Sequence, residues 1–377
     1  MKIAIATGTR ADWGLLQPVA SSLRNAGVET LVIALHQHLL PEMGNTVEEI
    51  INDGFLPVAR IPASGSPARI MTQAAAGITD TLAGINPDAL LILGDRCEML
   101  GVASAALLSG VPIIHIAGGT ISEGAFDDSV RHAISKMATL HFPETDKSAD
   151  RLIQMGENPD SVVVAGAIGV QNSLNLPKWS RQQLSDSLGW DPGTDFLVVT
   201  LHAATLESYS PLEVQQNMLQ ALGELPPHIR LLITYPNSDV EPAPLIADLQ
   251  KFAESQGDRV KLIPSLGRIR YLSAVALSRG VVGNSSSGLV EVPSLGVPTL
   301  DIGIRQQGRE CGSTVVHCGT SVTEIAAGLE RILSDEMRQS AKQAENPYYQ
   351  PDTVKIITDR ILSTDFHPYP IKKFHSS

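Results

Sequence analysis

Short apolar runs alternate with longer amphipathic segments along almost the whole chain. Lys2–Thr7, Thr30–Leu35, Ala89–Gly94, Val111–Ile116 and Val162–Ala165 read as buried strands. Between them, Ala11–Asn25, Pro67–Ile85, Glu98–Leu108, Asp128–Thr139 and Thr145–Met155 read as helices. Continuous apolar strands separated by helices predict a parallel sheet covered on both faces. The pattern pauses at Gly169–Ser180, GVQNSLNLPKWS, which is polar and lacks a clear period. It restarts with strand candidates at Phe196–Leu201, Arg230–Thr234, Val260–Ile263, Gly280–Val282, Pro298–Ile302 and Thr314–His317. The expectation is an α/β protein of two doubly wound, Rossmann-like domains, 1–172 and 173–350, facing each other across a cleft. Ligands are expected at the carboxyl ends of the strands. Residues 351–377 carry a helix candidate at Asp352–Leu362 and a Pro/His-rich end.

Composition narrows the function. A chain of 377 residues that is 43% hydrophobic can bury two cores. A net charge of −12 argues against nonspecific binding to nucleic acid or an anionic membrane, so any phosphate must be met by individual arginines. Three cysteines without a CxxC pair argue against a disulfide framework or a zinc ribbon and fit a reducing cytoplasm. The opening KIAIAT reads as a strand, not a leader, and no apolar stretch is long enough to span a bilayer. The HxH at His36 and His38 has no ligand spacing around it, so no metal is expected. GxGxxG, Walker A and GxSxG patterns are absent, and no nicotinamide is expected.

The most informative segment is GNSSSGLVEVPSLGVPTLDIGIRQQGRE, from Gly283 to Glu310. Asn284, Ser285 and Ser286 follow an apolar strand and precede a segment able to form a helix. Small side chains and backbone N–H groups at a helix N-terminus favour a phosphate or diphosphate. Glu291 lies about one turn further on, where a carboxylate can accept from a ribose diol, and Arg305 can add a charged contact to phosphate.

Other polar clusters also follow predicted strands. Gly8-Thr9-Arg10-Ala11-Asp12 supplies small residues and a cation. Gly94-Asp95-Arg96-Cys97-Glu98 places a carboxylate beside an arginine at the end of a buried strand, where it must be paired or used. His115–His132, HIAGGTISEGAFDDSVRH, concentrates Glu123, Asp127, Asp128, Arg131 and His132 around the start of a helix. Helix capping accounts for one of those aspartates, whereas a reaction that moves a carbon-bound proton uses paired carboxylates. His202, after the first strand of the second domain, can donate to phosphate or serve a leaving group. Tyr235-Pro236-Asn237 follows the next strand.

These blocks, in this order and over nearly the whole chain, resemble the hydrolysing UDP-N-acetylglucosamine 2-epimerases of the sialic and legionaminic acid type. The resemblance implies a glycosyltransferase-B fold, with the last helix crossing back onto the first domain. It also implies a cytoplasmic homodimer or homotetramer acting on a UDP-sugar without a cofactor. Proton removal at C2, loss of UDP to give a glycal, and addition of water would yield the free manno-configured sugar. Asp95, Glu123, Asp127 and Asp128 become candidates for proton handling. Arg10, Arg96, Arg131, His202, Asn237, Asn284, Ser285, Ser286 and Arg305 become candidates for the substrate, and Glu291 for its ribose. The chain departs from the family at Ala117, Thr120 and Ala203, where Glu or His, Glu, and Pro are usual. The spacing ISEGAFDDS is closer to the branch acting on UDP-2,4-diacetamido-trideoxy-glucose. The alternatives are a UDP-sugar-binding homologue without catalysis, a glycosyltransferase, and a non-hydrolysing epimerase.

Overall fold

A computed structural model describes residues 1–122, 126–203, 210–236, 243–367 and 372–376. Two compact units emerge. The first comprises Met1–Ile121, Phe126–Gln171 and the chain from Gln350 onward; the second comprises Asn172–Tyr349 with the short segment at Ser122.

In the first unit, β1 (Lys2–Thr7), β2 (Glu29–Leu35), β3 (Ala59–Ile61), β4 (Ala89–Leu93), β5 (Ile113–Ile116) and β6 (Leu140–Phe142) form one sheet in the order β3-β2-β1-β4-β5-β6. All its pairings are parallel. In the second, β7 (Phe196–Thr200), β8 (Arg230–Thr234), β9 (Val260–Ile263), β10 (Gly280–Gly283), β11 (Thr299–Ile302) and β12 (Val315–Cys318) lie in the order β12-β11-β10-β7-β8-β9, again all parallel. Each unit thus starts in the middle of its sheet, runs to one edge, returns, and runs to the other. The reversal opens a crevice at the carboxyl ends of β1 and β4, and of β7 and β10.

Strand alternation builds the cores. Ile3 and Ile5 of β1 pack on one face of their sheet, and Ala4 and Ala6 on the other. Leu197 and Val199 of β7 face one core of the second unit, with Phe196 and Val198 in the opposite one. The helix Thr353–Ser363 buries Ile357 and Ile361 in the core that holds Ile3 and Leu16. Burying each of those isoleucines contributes about 1.5–3 kcal/mol. The same helix bonds to the helix Arg10–Asn25 through the Thr358 and Ser22 hydroxyls at 2.9 Å.

Three local expectations change. Val162–Ala165 is not a strand. It makes one bridge, His141 to Val162, and then turns at Gly166 into the helix Ile168–Asn175. That helix occupies part of the stretch with no readable period. The edge strands β3 and β6 are three residues each, too short to show one.

Candidate active site

At the carboxyl edge of the first sheet, the turn after β1 meets the turn after β4. A Cβ on Gly8 would come within 2.3 Å of Glu98 Oε1, so any larger residue here would have to displace the Glu98 carboxylate. Glu98 is fully buried and accepts a 2.7 Å hydrogen bond from Arg96 Nε. Asp12 lies in the same charged cluster. Burial pushes its carboxyl up to about 6, against the pull of the Arg96 guanidinium. Its Oδ2 has no hydrogen-bond partner among the described residues. Arg10 is exposed and lies 4.0 Å from Glu49. His38 is buried between the hydroxyls of Thr7 at 3.0 Å and Thr46 at 2.9 Å, and burial lowers it to about 4. Among the described residues, no group of three or more His, Cys, Asp or Glu side chains is arranged to hold a metal ion.

The next turn and the helix Asp127–Met137 converge on Arg131, whose side chain is 2% exposed. Arg131 forms an ion pair with Asp95 and donates to the Thr120 carbonyl at 2.6 Å. Asp128 lies 3.7 Å from Arg131 and 3.4 Å from His132 Nε2. Behind them, His115 Nε2 donates to the Gly94 carbonyl at 2.8 Å, and its Nδ1 accepts from the Ser135 hydroxyl at 3.1 Å. Burial lowers His115 to about 3, so its imidazole is a neutral brace beneath Asp95. Ala117 adopts φ +63, a left-handed conformation that strains a residue with a Cβ by about 1–3 kcal/mol. Glu123 lies outside the described residues.

In the second unit the same arrangement recurs. A Cβ on Gly283, at φ +140, would fall on the Thr200 carbonyl. The turns after β7 and β10 are therefore in direct contact. Asn284 is buried and ties them together: its Oδ1 accepts from the His202 N–H at 2.7 Å and its Nδ2 donates to the His202 carbonyl at 2.8 Å. The Asn284 carbonyl accepts from Arg305 at 3.1 Å and Gln306 at 2.9 Å. Asn284 is thus placed as a brace for His202 and Arg305. Ser285 and Ser286 are half-buried at the turn.

The helix after GNSSS is short, Ser287–Val290, and passes into a 3-10 turn, Val292–Leu295, at Pro293. Four residues give little macrodipole. The segment expected to form a helix after GNSSS does so for only one turn, so what this turn offers an anion is chiefly its own N–H groups and the nearby Arg305. Tyr271 OH donates to Ser287 Oγ at 3.0 Å, and Ser287 in turn bonds to Glu291. Burial raises the Glu291 carboxyl, with Ser287, Arg268 and Arg309 opposing it. Arg309 donates to Ser122 Oγ through Nε at 3.3 Å and Nη2 at 3.2 Å. Asn237 lies outside the described residues.

The structure therefore brings Asp95, Arg131 and Asp128 together, and separately His202, Asn284 and Arg305. Asp127 opens the helix that carries Asp128 and Arg131, whereas Arg10 is placed by Glu49 instead. Asp12, Glu98 and His115 were readable as neighbours of motif residues but carried no distinguishing pattern. Tyr271 and Arg268 lay outside every motif, and only the folded chain groups them with Glu291; Arg309 stood within the Gly283–Glu310 segment but was not singled out.

Two parallel six-stranded units, each with charged groups at its switch point, define an α/β protein of the glycosyltransferase-B class. The chain aligns over 97% of its length with the crystal structure of UDP-GlcNAc 2-epimerase from Neisseria meningitidis bound to UDP-GlcNAc, covering 100% of that chain with a TM-score of 0.82 at 20% identity. The profile of the UDP-N-acetylglucosamine 2-epimerase family matches residues 21–362, and the chain belongs to that family. The GDP/UDP-N,N'-diacetylbacillosamine 2-epimerase (hydrolyzing) of Campylobacter jejuni is 32% identical over 346 residues, 90% of this chain and 89% of that protein. The UDP-N,N'-diacetylbacillosamine 2-epimerase (hydrolyzing) of Legionella pneumophila is 32% identical over 341 residues, 88% of this chain and 89% of that protein.

Proposed function

We propose that the chain is a hydrolysing epimerase that converts UDP-N,N'-diacetylbacillosamine and water to UDP and the free 2,4-diacetamido-2,4,6-trideoxy-mannose. The single observation carrying the choice of sugar is the similarity, at 32% identity, to two hydrolysing enzymes named for it. In this reading the second unit holds UDP. Ser285, Ser286, Arg305 and His202 bind the diphosphate, Asn237 contacts the nucleotide, and Glu291 accepts from the ribose hydroxyls. The ordered bonds through Asn284 support it, because they fix His202 and Arg305 before substrate arrives.

The first unit handles the proton. Asp95, Glu123 and Asp127 are the acid and base candidates, with Asp128 holding Arg131 and His132; Arg10 and Arg96 add charge for the diphosphate. A carboxylate takes the C2 proton, the C1–O bond to UDP breaks to leave a glycal, and water adds across the double bond with inversion at C2. The working form is a homodimer or homotetramer in the cytoplasm, which light scattering on the purified protein and cell fractionation would check.

One NMR time course in D2O tests the reading, with UDP-N,N'-diacetylbacillosamine and UDP-N-acetylglucosamine both present. The expected result is release of UDP with a free manno-configured diacetamido sugar deuterated at C2. Preferential turnover of UDP-N-acetylglucosamine would overturn the sugar. UDP binding with no turnover of either would favour a binding protein, the reading that Ala117 and Thr120 motivate. Glu291→Gln should weaken UDP by roughly tenfold to a hundredfold, the worth of a charged hydrogen bond; unchanged affinity in calorimetry would remove Glu291 from the ribose.

A further inference from the structure

Outside the groups used above, one nucleophile is wired to a base and a carboxylate. The parallel register of β11 and β12 sets Asp301 beside His317. Asp301 is 1% exposed, and its Oδ2 accepts from His317 Nδ1 at 2.8 Å. Its Oδ1 has no partner among the described residues. A buried carboxylate in that state is costly unless a cation stands next to it. On the far side of the ring, His317 Nε2 lies 3.3 Å from Cys311 Sγ. The order carboxylate, imidazole, thiol is that of an oriented base activating a nucleophile. The His317 side chain is 47% exposed, so reagents can reach the pair from solvent. Hydrogen bonds to Asp301 and Cys311 hold the imidazole up to about 10. The other two thiols are held protonated by burial, Cys97 at about 11 and Cys318 at about 12.

We propose that Cys311, His317 and Asp301 form a reactive-thiol site at which Cys311 is modified by small disulfides and soft carbon electrophiles. His317 Nε2, 3.3 Å from Cys311 Sγ, is placed to take the thiol proton or to hydrogen-bond the thiolate. The thiolate then attacks one sulfur of the disulfide, forming a new S–S bond, while the other half leaves as a thiolate. The incoming disulfide is itself the oxidant. With an alkyl iodide, an S–C bond forms and iodide leaves.

The native protein is treated with trace iodoacetamide at pH 6.5 and pH 9.5, and separately with glutathione disulfide. Each cysteine is followed by peptide mass spectrometry. At pH 6.5, Cys311 should react about tenfold faster than a free cysteine peptide, since a free thiol is only about 1% thiolate there and an imidazole at hydrogen-bond distance can take its proton as it attacks. Cys97 and Cys318 should lag behind the peptide. His317→Gln should slow Cys311 about tenfold at pH 6.5 and leave its pH 9.5 rate within about twofold. Glutathione disulfide should add one glutathionyl group, at Cys311. Reaction of wild-type Cys311 at or below the free-peptide rate at pH 6.5 would overturn the proposal, and that comparison needs no variant. An unchanged rate in a folded His317→Gln protein would overturn the role of the histidine.

Discussion

A single guanidinium organises the first unit's charged edge. Arg131 is buried and serves Asp95, Asp128 and the Thr120 carbonyl at once. Arg131→Ala would leave Asp95 without its cation and the carbonyl without its donor, at a cost of about 3–5 kcal/mol. Urea titration would measure it, and a loss under 1 kcal/mol would mean the pair is dispensable to the fold. Asp12 makes the opposite kind of demand. Its pKa rises from 3.8 unfolded to about 6 folded, so the folded state holds the proton more tightly. Asp12 is therefore harmless below about pH 4 and increasingly destabilising as pH rises through about 6, by on the order of 2–3 kcal/mol in full. Asp12→Asn should be more stable than wild type at pH 7.5 and equal to it at pH 4. Parallel stability curves across that range would refute the shift. Neither effect was legible in the chain. GTRAD and GDRCE stand out because polar residues end apolar runs, but the Asp95–Arg131 pair spans 36 positions and forms only when two strand ends meet. Asn284 shows the reverse: the motif was visible, but its turn toward the His202 backbone was not.

At the level of elements, the helix Asp127–Met137 carries a dense cluster of charged groups at one end and is tied down at the other. Lys372 donates to the carbonyls of Ser135 at 3.2 Å, Lys136 at 2.7 Å and Ala138 at 2.7 Å, meeting the orphan acceptors of that terminus. It also pairs with Glu157 at 2.6 Å. Burial pushes the Glu157 carboxyl up, but bonds from His141, Lys136 and Lys372 outweigh it and bring it down to about 2. Lys372→Met should therefore cost about 1–3 kcal/mol, since Glu157 keeps two partners, and lower the first unit's melting temperature by a few degrees. No shift in calorimetry would show the contact to be decorative. Long periodic helices such as Pro67–Ile85 were readable from their apolar spacing. The three-residue edge strands and the broken turn after GNSSS were not, because so few residues carry no period and Pro293 ends the helix before one can develop. A lysine close to the C-terminus capping a distant helix leaves no local pattern at all.

At the scale of the whole molecule, alternating apolar strands and helices made two doubly wound halves legible, whereas strand order was not, because periodicity says nothing about which strands are neighbours. The folded chain repeats one order in both units and returns its last helix to the first. Each unit has its own cores, so each should melt as its own cooperative block and answer to a different variable. UDP at a hundred times its dissociation constant should stabilise the unit that binds it by about 2.7 kcal/mol. If the second unit holds the nucleotide, hydrogen exchange should slow across residues 172–203, 210–236 and 243–349. Thr353–Ser363 should follow the helix Arg10–Asn25 instead, because Ile357, Ile361, Leu16 and Val19 share one core. Lowering the pH from 7.5 to 5 without UDP should stabilise the first unit through Asp12 by about 1.4 kcal/mol, roughly half of the full effect, since pH 5 is one unit below its folded pKa and still above its unfolded one. Equal protection of β1 and β10 by UDP would place nucleotide binding on both units and remove the division of labour proposed here. Protection confined to β1 and its turn would reverse it.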